Sequence, residues 1–211
     1  EQKGKLITFN PKSHVRMSPS FQPEADGVTF HLKAVYTDTL RNEYSKEHST
    51  HPIRMSRICG PVEVVNDTTF TVRFYRMGLD NPKRTGGICL MASVKQDHKY
   101  RSAVQQVEIR IPYRNKEGIP QRIIFPKLSD VKASVKEISL NGTADSGLPV
   151  YYYVKEGPAE IKGDKLALTK IPPRAKFPVK VTVVAWQYGR SGEPKVQTAE
   201  AVEQSFYITA R

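Results

Sequence analysis

The chain carries one stretch twice, first as Pro52-Ile53-Arg54-Met55-Ser56-Arg57-Ile58-Cys59-Gly60-Pro61-Val62-Glu63 and, 97 positions later, as Pro149-Val150-Tyr151-Tyr152-Tyr153-Val154-Lys155-Glu156-Gly157-Pro158-Ala159-Glu160. Only the two prolines, the glycine and the glutamate are identical. Both copies then continue with a polar turn and a short apolar strand, and each ends on an alternating strand, Val104–Ile109 or Val202–Ile208. A period of about 100 residues is too long for a solenoid repeat and fits a small domain. The sequence therefore predicts two copies of one β-domain.

Both copies consist of short runs rich in Val, Ile, Thr and Tyr, bounded by Pro, Gly, Asn and Asp, and no segment keeps a 3.6-residue period. Six or seven short strands per hundred residues are typical of a β-sandwich. We therefore predict an all-β chain of two tandem immunoglobulin-like β-sandwich domains. The predicted strands are Leu6–Phe9, Val28–Tyr36, Ile53–Arg57, Phe70–Tyr75, Cys89–Val94 and Val104–Ile111 in the first copy, and Arg122–Phe125, Glu137–Asn141, Val150–Val154, Leu166–Thr169, Val179–Tyr188 and Val202–Thr209 in the second.

The predicted domains are residues 1–112 and 120–211, joined by a polar, proline-bounded linker at 113–119. The first domain carries two long polar loops, Thr37–His51 and Arg76–Gly87. Loops of such sandwiches commonly carry recognition, although long loops are also tolerated without any function.

The net charge of +12 is spread evenly, with +6 in residues 1–112 and +6 in residues 113–211. Because nucleic-acid binding needs a basic patch or groove, this even distribution predicts no nucleic-acid partner. An acidic polysaccharide or an anionic envelope surface remains a candidate partner.

No window of the sequence approaches 18 consecutive apolar residues, so we predict no membrane span. The chain opens on polar residues and not on a signal peptide, which leaves a cytosolic protein, a processed chain or a piece of a longer polypeptide, and we favour the last.

A longer motif in the second copy is similar to a known family. It reads Ser146-Gly147-Leu148-Pro149-Val150-Tyr151-Tyr152-Tyr153-Val154, continues through Gly157-Pro158-Ala159-Glu160-Ile161, and is followed by Val181-Thr182-Val183-Val184-Ala185-Trp186-Gln187-Tyr188-Gly189. This pattern resembles bacterial immunoglobulin-like repeats of secreted and cell-surface proteins, over most of residues 120–211. The first copy matches only loosely. The resemblance implies an extracytoplasmic location and tandem C-terminal modules of a larger envelope or polysaccharide-degrading protein.

Aromatic side chains are concentrated on two strands of the second copy. In an extended strand alternate residues share a face, and the small residues at 181, 183 and 185 look core-facing. If the two strands are neighbours, four aromatic residues cluster on one outer sheet face as a candidate ligand-binding platform: Tyr151, Tyr153, Trp186 and Tyr188. Three interpretations remain open for them, namely core packing, contact with a neighbouring domain and stacking against sugar rings.

The two cysteines, Cys59 and Cys89, both lie in the first copy, and their counterparts in the second copy are Glu156 and a residue near Thr182. The fold therefore does not require them. They could pair as a disulfide in an oxidising compartment or remain buried free thiols. Two thiols are too few for a structural metal site, which needs four ligands.

No nucleophile elbow, phosphate-binding loop or zinc-protease motif is present in the sequence. The closest histidine pair, His48 and His51, offers at most a weak chelate. We therefore predict a protein that is not an enzyme and uses no cofactor or metal.

The predicted role is a spacer, scaffold or interaction module whose partners are neighbouring domains or a surface partner. A carbohydrate-binding accessory module is one alternative, and it requires an exposed Trp186. A fragment of a secreted hydrolase is another, and it requires a cleft of carboxylates or histidines near residues 37–51.

Overall fold

The computed structural model describes residues 5–7, 20–38, 43–44, 47–75 and 85–210. Throughout these ranges the regular structure consists of β-strands, with no helix. The predicted fold class, an all-β chain of tandem immunoglobulin-like β-sandwiches, is confirmed. The absence of helices follows from the sequence, because prolines separate short strand-forming runs that have no helical period.

Contacts divide the chain into two compact units. The first contains residues 1–73 and 83–113, and the second contains residues 74–82 and 114–211. The second unit therefore takes in two segments from outside the predicted second domain. One is the stretch that begins at Phe74, and the other is most of the predicted linker.

The linker residues are hydrogen bonded within the second unit. The amide of Asn115 donates to Thr198 Oγ1 at 2.8 Å, and its side-chain Nδ2 donates to the carbonyl of Tyr188 at 2.9 Å. Further along, the amide of Ile119 donates to the carbonyl of Lys195 at 2.9 Å. Residues 114–119 are thus a structured edge of the second unit.

In the part of the first unit that the structure describes, the strands form three three-stranded sheets. In one, β7 is flanked by β2 and β6, and in another β8 is flanked by β5 and β9. The third orders its strands β1-β3-β4. The strands are β1 (Lys5–Ile7), β2 (Thr29–His31), β3 (Val35–Asp38), β4 (Glu43–Tyr44), β5 (Arg54–Cys59), β6 (Val62–Val64), β7 (Thr69–Val72), β8 (Thr85–Val94) and β9 (Ala103–Pro112).

Two predictions for the first copy need correction. The loop predicted at Thr37–His51 contains the end of β3 and all of β4, which pair as a hairpin, while its residues 39–42 and 45–46 lie outside the described residues. The loop predicted at Arg76–Gly87 ends earlier, because β8 begins at Thr85, and residues 76–84 lie outside the description. Gly86, which the predicted loop includes, lies in β8, where a Cβ would come within 2.6 Å of the Tyr113 ring. Close packing thus explains this strand glycine.

The described residues of the second unit form sheets of four, three and two strands. Its larger sheet has the order β11-β18-β17-β14, its smaller sheet has the order β12-β16-β15, and β10 pairs with β13. β11 runs parallel to β18, and every other pair is antiparallel. The strands are β10 (Ile123–Ile124), β11 (Val131–Lys132), β12 (Glu137–Ser139), β13 (Thr143–Ala144), β14 (Tyr151–Glu156), β15 (Ala159–Lys162), β16 (Lys165–Leu168), β17 (Val179–Trp186) and β18 (Val202–Thr209).

The two units share the strand order of two sheets. The sheet β2-β7-β6 corresponds to β12-β16-β15, and β5-β8-β9 corresponds to β14-β17-β18. Because its strands are longer, β5-β8-β9 is called the larger sheet of the first unit, and β2-β7-β6 its smaller sheet. The short strands β6 and β15 were not predicted, because three or four residues after a Gly-Pro turn carry too little alternation to register as a strand.

The repeated Gly-Pro stretch is the corner that joins these sheets. Gly60 has a φ of 95° and Gly157 has a φ of 101°. A Cβ on Gly60 would lie 2.2 Å from the carbonyl oxygen of Gly87, and one on Gly157 would lie 2.6 Å from that of Lys180. In both units the corner backbone thus presses against the central strand of the larger sheet, β8 or β17, which only glycine permits.

A β-bulge precedes each corner. The register shifts between Arg57 and Cys59 in the first unit, and between Val154 and Glu156 in the second. A bulge bends its strand and increases its twist, which turns the chain toward the smaller sheet. The corners that the repeat predicted as equivalent therefore occupy equivalent places.

The core of the second unit lies between its larger and smaller sheets. Alternate residues of β17 supply one side of it, and Leu166 of β16 supplies the other. Tyr152 also points into this core, where its hydroxyl accepts a hydrogen bond from the amide of Gly142 at 2.7 Å and donates to the carbonyl of Leu140 at 3.1 Å. The buried members are Ile123, Phe125, Leu128, Leu140, Tyr152, Leu166, Val181, Val183, Ala185, Ala199, Phe206 and Ile208.

Candidate functional site

The candidate aromatic platform lies on the neighbouring strands β14 and β17. Tyr151 pairs directly with Trp186, and Tyr153 pairs with Val184. Because residues that oppose each other in an antiparallel pair share a face, Tyr151, Tyr153 and Trp186 are on the same side of the sheet. The core residues of β17 are at 181, 183 and 185. The predicted neighbour relation and the predicted choice of face are both correct.

Of the three interpretations left open for this face, core packing agrees with the burial of its aromatic residues. Trp186 and Tyr188 have no exposed surface, and Tyr153 is 5% exposed. Tyr151, at the rim, is half-buried. β17 is consequently buried on both faces from Val181 to Trp186.

Phe74 covers much of the cluster. Its ring meets the Trp186 indole edge-on, with centroids 5.0 Å apart and planes at 88°. It also packs at a tilt against Tyr188, with centroids 5.7 Å apart. Phe74 is itself fully buried. The alternation of Phe70, Val72 and Phe74, all fully buried, was a sequence signal for this inward orientation.

The electrostatics of the cluster match a dry interior. Burial raises the pKa of the Tyr188 phenol far above its usual range. The indole Nε1 of Trp186 is buried and has no hydrogen-bond partner among the described residues. The main chain is better satisfied, since the Tyr188 carbonyl accepts hydrogen bonds from Asn115 Nδ2 and from Thr198 Oγ1. The rings therefore pack against one another and leave no open face of Trp186 for a sugar ring.

Farther along the same strands, the outer face of the larger sheet is polar. Thr182 Oγ1 donates to Glu156 Oε1 at 2.7 Å and lies 2.8 Å from Ser205 Oγ. Lys180 Nζ lies 2.7 Å from the same carboxylate. The hydrogen bonds from Lys180 and then from Thr182 hold the pKa of Glu156 below its usual value. This network joins β14, β17 and β18 by side-chain bonds in addition to the backbone ladder.

The equivalent position of the first unit holds the two cysteines. Cys59 opposes Cys89 across β5 and β8, as Glu156 opposes Thr182 in the second unit, and the counterparts predicted from the repeat are confirmed. Both thiols are free in this structure, with Cys59 exposed and Cys89 half-buried. Burial raises the pKa of the Cys89 thiol, and the hydrogen bond with Cys59 adds to the effect. Within the described ranges, no three His, Cys, Asp or Glu side chains converge as metal ligands.

The described histidines near the 37–51 loop have local structural contacts. The His48 ring stacks on Tyr36, with centroids 4.4 Å apart. The neighbouring Ser49 is buried and donates to the carbonyl of Lys95 at 3.2 Å. The Asp97 carboxylate accepts a hydrogen bond from the amide of Thr50 at 3.1 Å. It also accepts one from the amide of Tyr100, within its own turn, at 2.8 Å. These contacts attach the segment to the turn after β8.

Among the described residues, no helix is long and apolar enough to cross a membrane.

No known protein family matches the chain, and no curated protein matches it. Solved structures resemble it at low identity. A crystal structure of Drosophila N-cadherin EC1-4 is 12% identical with a TM-score of 0.32, and the match covers 100% of this chain and 51% of that one. One of human protocadherin-24 EC1-2 is 12% identical with a TM-score of 0.34, covering 99% of this chain and 98% of that one. One of mouse cadherin-23 EC22-24 is 17% identical with a TM-score of 0.30, covering 99% and 65%. The chain spans about half the length of the first of these and of a protocadherin gamma B2 structure with domains 3-6. Scores this low assign neither a family nor a function.

Proposed function

We propose that this chain is a non-catalytic spacer and scaffold of a secreted or cell-surface bacterial protein. It holds neighbouring parts of that protein, or a surface partner, at defined positions outside the cytoplasm. The observation that carries the proposal is the corner that both units share. Each unit turns from its larger sheet into its smaller sheet through the same bulge and the same positive-φ glycine, pressed against the central strand.

A corner of this kind resists bending. The backbone after Gly60 is closed by a hydrogen bond from the Val62 amide to the Gly60 carbonyl at 2.9 Å, and Ala159 bonds to Gly157 in the same way at 3.0 Å. A second hydrogen bond closes each corner. The amide of Arg73 donates to the carbonyl of Pro61, and the amide of Thr169 donates to that of Pro158, both at 2.9 Å. A closely packed interior transmits strain with little deformation, so a module of this type keeps its length under load.

The bacterial and extracytoplasmic parts of the proposal rest on the sequence resemblance around residues 146–168 and 181–189. The lack of an open aromatic face on Trp186 favours a scaffold over a carbohydrate-binding module that uses this cluster. We therefore assign the aromatic residues to internal packing.

The proposal is tested by replacement within the parent polypeptide. One variant carries a Gly/Ser linker of the same residue number in place of this chain, and a second carries an unrelated pair of immunoglobulin-like sandwiches. A Gly/Ser linker behaves as a flexible coil and cannot hold a fixed distance. We expect the sandwich pair to preserve the activity of the neighbouring domains and the flexible linker to lose it.

Two results would contradict the proposal. If the flexible linker works as well as the native chain, rigidity is not its contribution. If the isolated chain binds a polysaccharide saturably and the binding is lost in Trp186→Phe, the cluster is a ligand site after all. Tyr207→Phe, at a 43% exposed tyrosine of β18, is the matched control for the second experiment.

A further inference from the structure

Cys59 and Cys89 lie directly opposite each other on the antiparallel strands β5 and β8 of the first unit, immediately after the register shift. Cys89 is flanked by Ile88 and Leu90, which are both fully buried. Because successive side chains of a strand point to opposite faces, the Cys89 sulfur points away from the core. Both sulfurs are thus on the solvent side of the sheet.

The spacing of directly opposed residues suits a disulfide. Their Cα atoms are about 4.5 or 5.5 Å apart, depending on the hydrogen-bonding position. Disulfides span Cα separations of about 4.4–6.8 Å. Cys59 and Cys89 are such a directly opposed pair. No change of strand register is therefore needed to bring the sulfurs into bonding distance.

At the equivalent position of the second unit, a side-chain hydrogen bond connects the two strands. There, Glu156 and Thr182 oppose each other after the equivalent bulge, and the hydroxyl donates to the carboxylate at 2.7 Å. This position is next to the corner glycine in both units. A cross-strand link here braces the bulge, and the first unit has two sulfurs in place of the hydrogen-bonding pair.

We propose that Cys59 and Cys89 form a reversible cross-strand disulfide on the outer face of the sheet β5-β8-β9, made by exchange with a small-molecule or protein disulfide. Cys59 is the more exposed thiol, so an incoming disulfide reaches it first. Its thiolate attacks one sulfur of the donor, forms a mixed disulfide and releases the other donor sulfur as a thiolate. The Cys89 thiolate then attacks Cys59 Sγ, which forms the intramolecular bond and releases the second donor thiolate. Two protein thiols are oxidised, and the donor disulfide is reduced to two thiols.

The bond would hold the bulged end of β5 to the middle of β8 and close a loop of about 30 residues. A closed loop restricts the unfolded chain, so the link favours the folded first unit. The second unit contains no cysteine. Oxidation therefore acts on one unit of the pair.

The test is equilibration of the full chain with reduced and oxidised glutathione, followed by acid quenching and mass measurement. We expect a monomer that has lost two hydrogens. We also expect the equilibrium constant for closure to be at least about tenfold larger in the folded chain than in the urea-unfolded chain, because a strain-free native disulfide stabilises the fold by that same factor.

A matched variant tests whether the cross-strand position matters. In Cys59→Ser combined with Ser56→Cys, the new thiol opposes Met91 and lies diagonal to Cys89. Diagonal neighbours are about 7–8 Å apart. We expect closure with Cys89 to be reduced at least about tenfold in this variant. The double variant Glu156→Cys with Thr182→Cys, made in a Cys59→Ser and Cys89→Ser background, is expected to close like the native pair.

Three outcomes would overturn the proposal. The thiols could remain free under oxidising glutathione, they could form only mixed or intermolecular disulfides, or closure could be no more favourable in the folded chain than in urea.

Discussion

Tyr151 and Trp186 lie opposite each other on β14 and β17, with their rings stacked at a centroid distance of 4.9 Å and an interplanar angle of 28°. Phe74 meets the same indole edge-on. Trp186 is therefore covered by one aromatic ring that stacks on it and by another that meets it at right angles. Such pairs add to the stability that burial alone provides. The largest side chain of the chain is thus a packing residue on a sheet face that commonly meets solvent in sandwiches.

We predict that Phe74→Ala destabilises the second unit by about 3–5 kcal/mol, because it leaves a cavity against Trp186 and Tyr188. Trp186 is the only tryptophan, so its fluorescence reports the environment directly. The native emission should be blue-shifted, and acrylamide should quench it only weakly. Both properties should be lost in the variant. Tyr75→Ala, at a neighbour that is 48% exposed, is the control and should change neither. Native emission typical of an exposed indole would contradict the prediction.

We predict that Gly157→Ala destabilises the second unit by more than about 2 kcal/mol, because a side chain is strained at a φ of 101° and would also collide with the Lys180 carbonyl. Gly163 provides the matched control. It has a φ of 64°, but a Cβ there would meet nothing within 4 Å. Gly163→Ala should therefore cost only about 1 kcal/mol. Urea unfolding of both variants measures the difference, and equal costs would show that the close approach at the corner is unimportant.

We predict that Tyr152→Phe lowers the free energy of unfolding by about 1–2 kcal/mol, because the buried hydroxyl bonds to the amide of Gly142 and the carbonyl of Leu140. The ring remains, so the packing with Phe125 is preserved. Tyr207→Phe removes a hydroxyl from a residue that is 43% exposed and should cost much less. Thermal or urea unfolding followed by tryptophan fluorescence is the measurement. A Tyr152→Phe variant as stable as the native chain would show that water replaces these bonds at no cost.

We predict that Asp97 makes the first unit sensitive to acid. The amides of Lys99 and Tyr100 donate to its carboxylate at 2.8 Å, and these bonds hold its pKa well below the usual value. A folded-state pKa below the unfolded value contributes stability that is present above pH of about 4 and is lost as the pH falls through the folded-state pKa. Asp97→Asn keeps an acceptor oxygen but does not titrate, so this part of the pH dependence should disappear. If the native chain and the variant lost stability in parallel between pH of about 4 and 2, the prediction would be wrong.

Comparison of the two copies shows which features local sequence could predict. The alternation of small apolar residues in β17 identified the core face, and the Gly-Pro repeat identified the corner and the counterparts of Cys59 and Cys89 in the second copy. Each of these depends on strand periodicity or on the φ of a single glycine, which are local properties. The loops were predicted less well. Gly86 falls in the predicted loop Arg76–Gly87, whereas it lies in β8, where the Tyr113 ring occupies the space that a side chain would need.

The sequence by itself determined the class of fold, the duplication, the corner glycines and the face on which each aromatic residue of β14 and β17 lies. Only the tertiary structure decided that this face is covered, since Phe74 lies more than a hundred positions from Trp186 in the chain. Likewise, residues 114–119 look like a linker in composition, but hydrogen bonds such as that from Asn115 to the Tyr188 carbonyl attach them to the second unit. The physical reason is the same in both cases. Periodicity shows where a side chain points, whereas exposure depends on which distant residues pack against it.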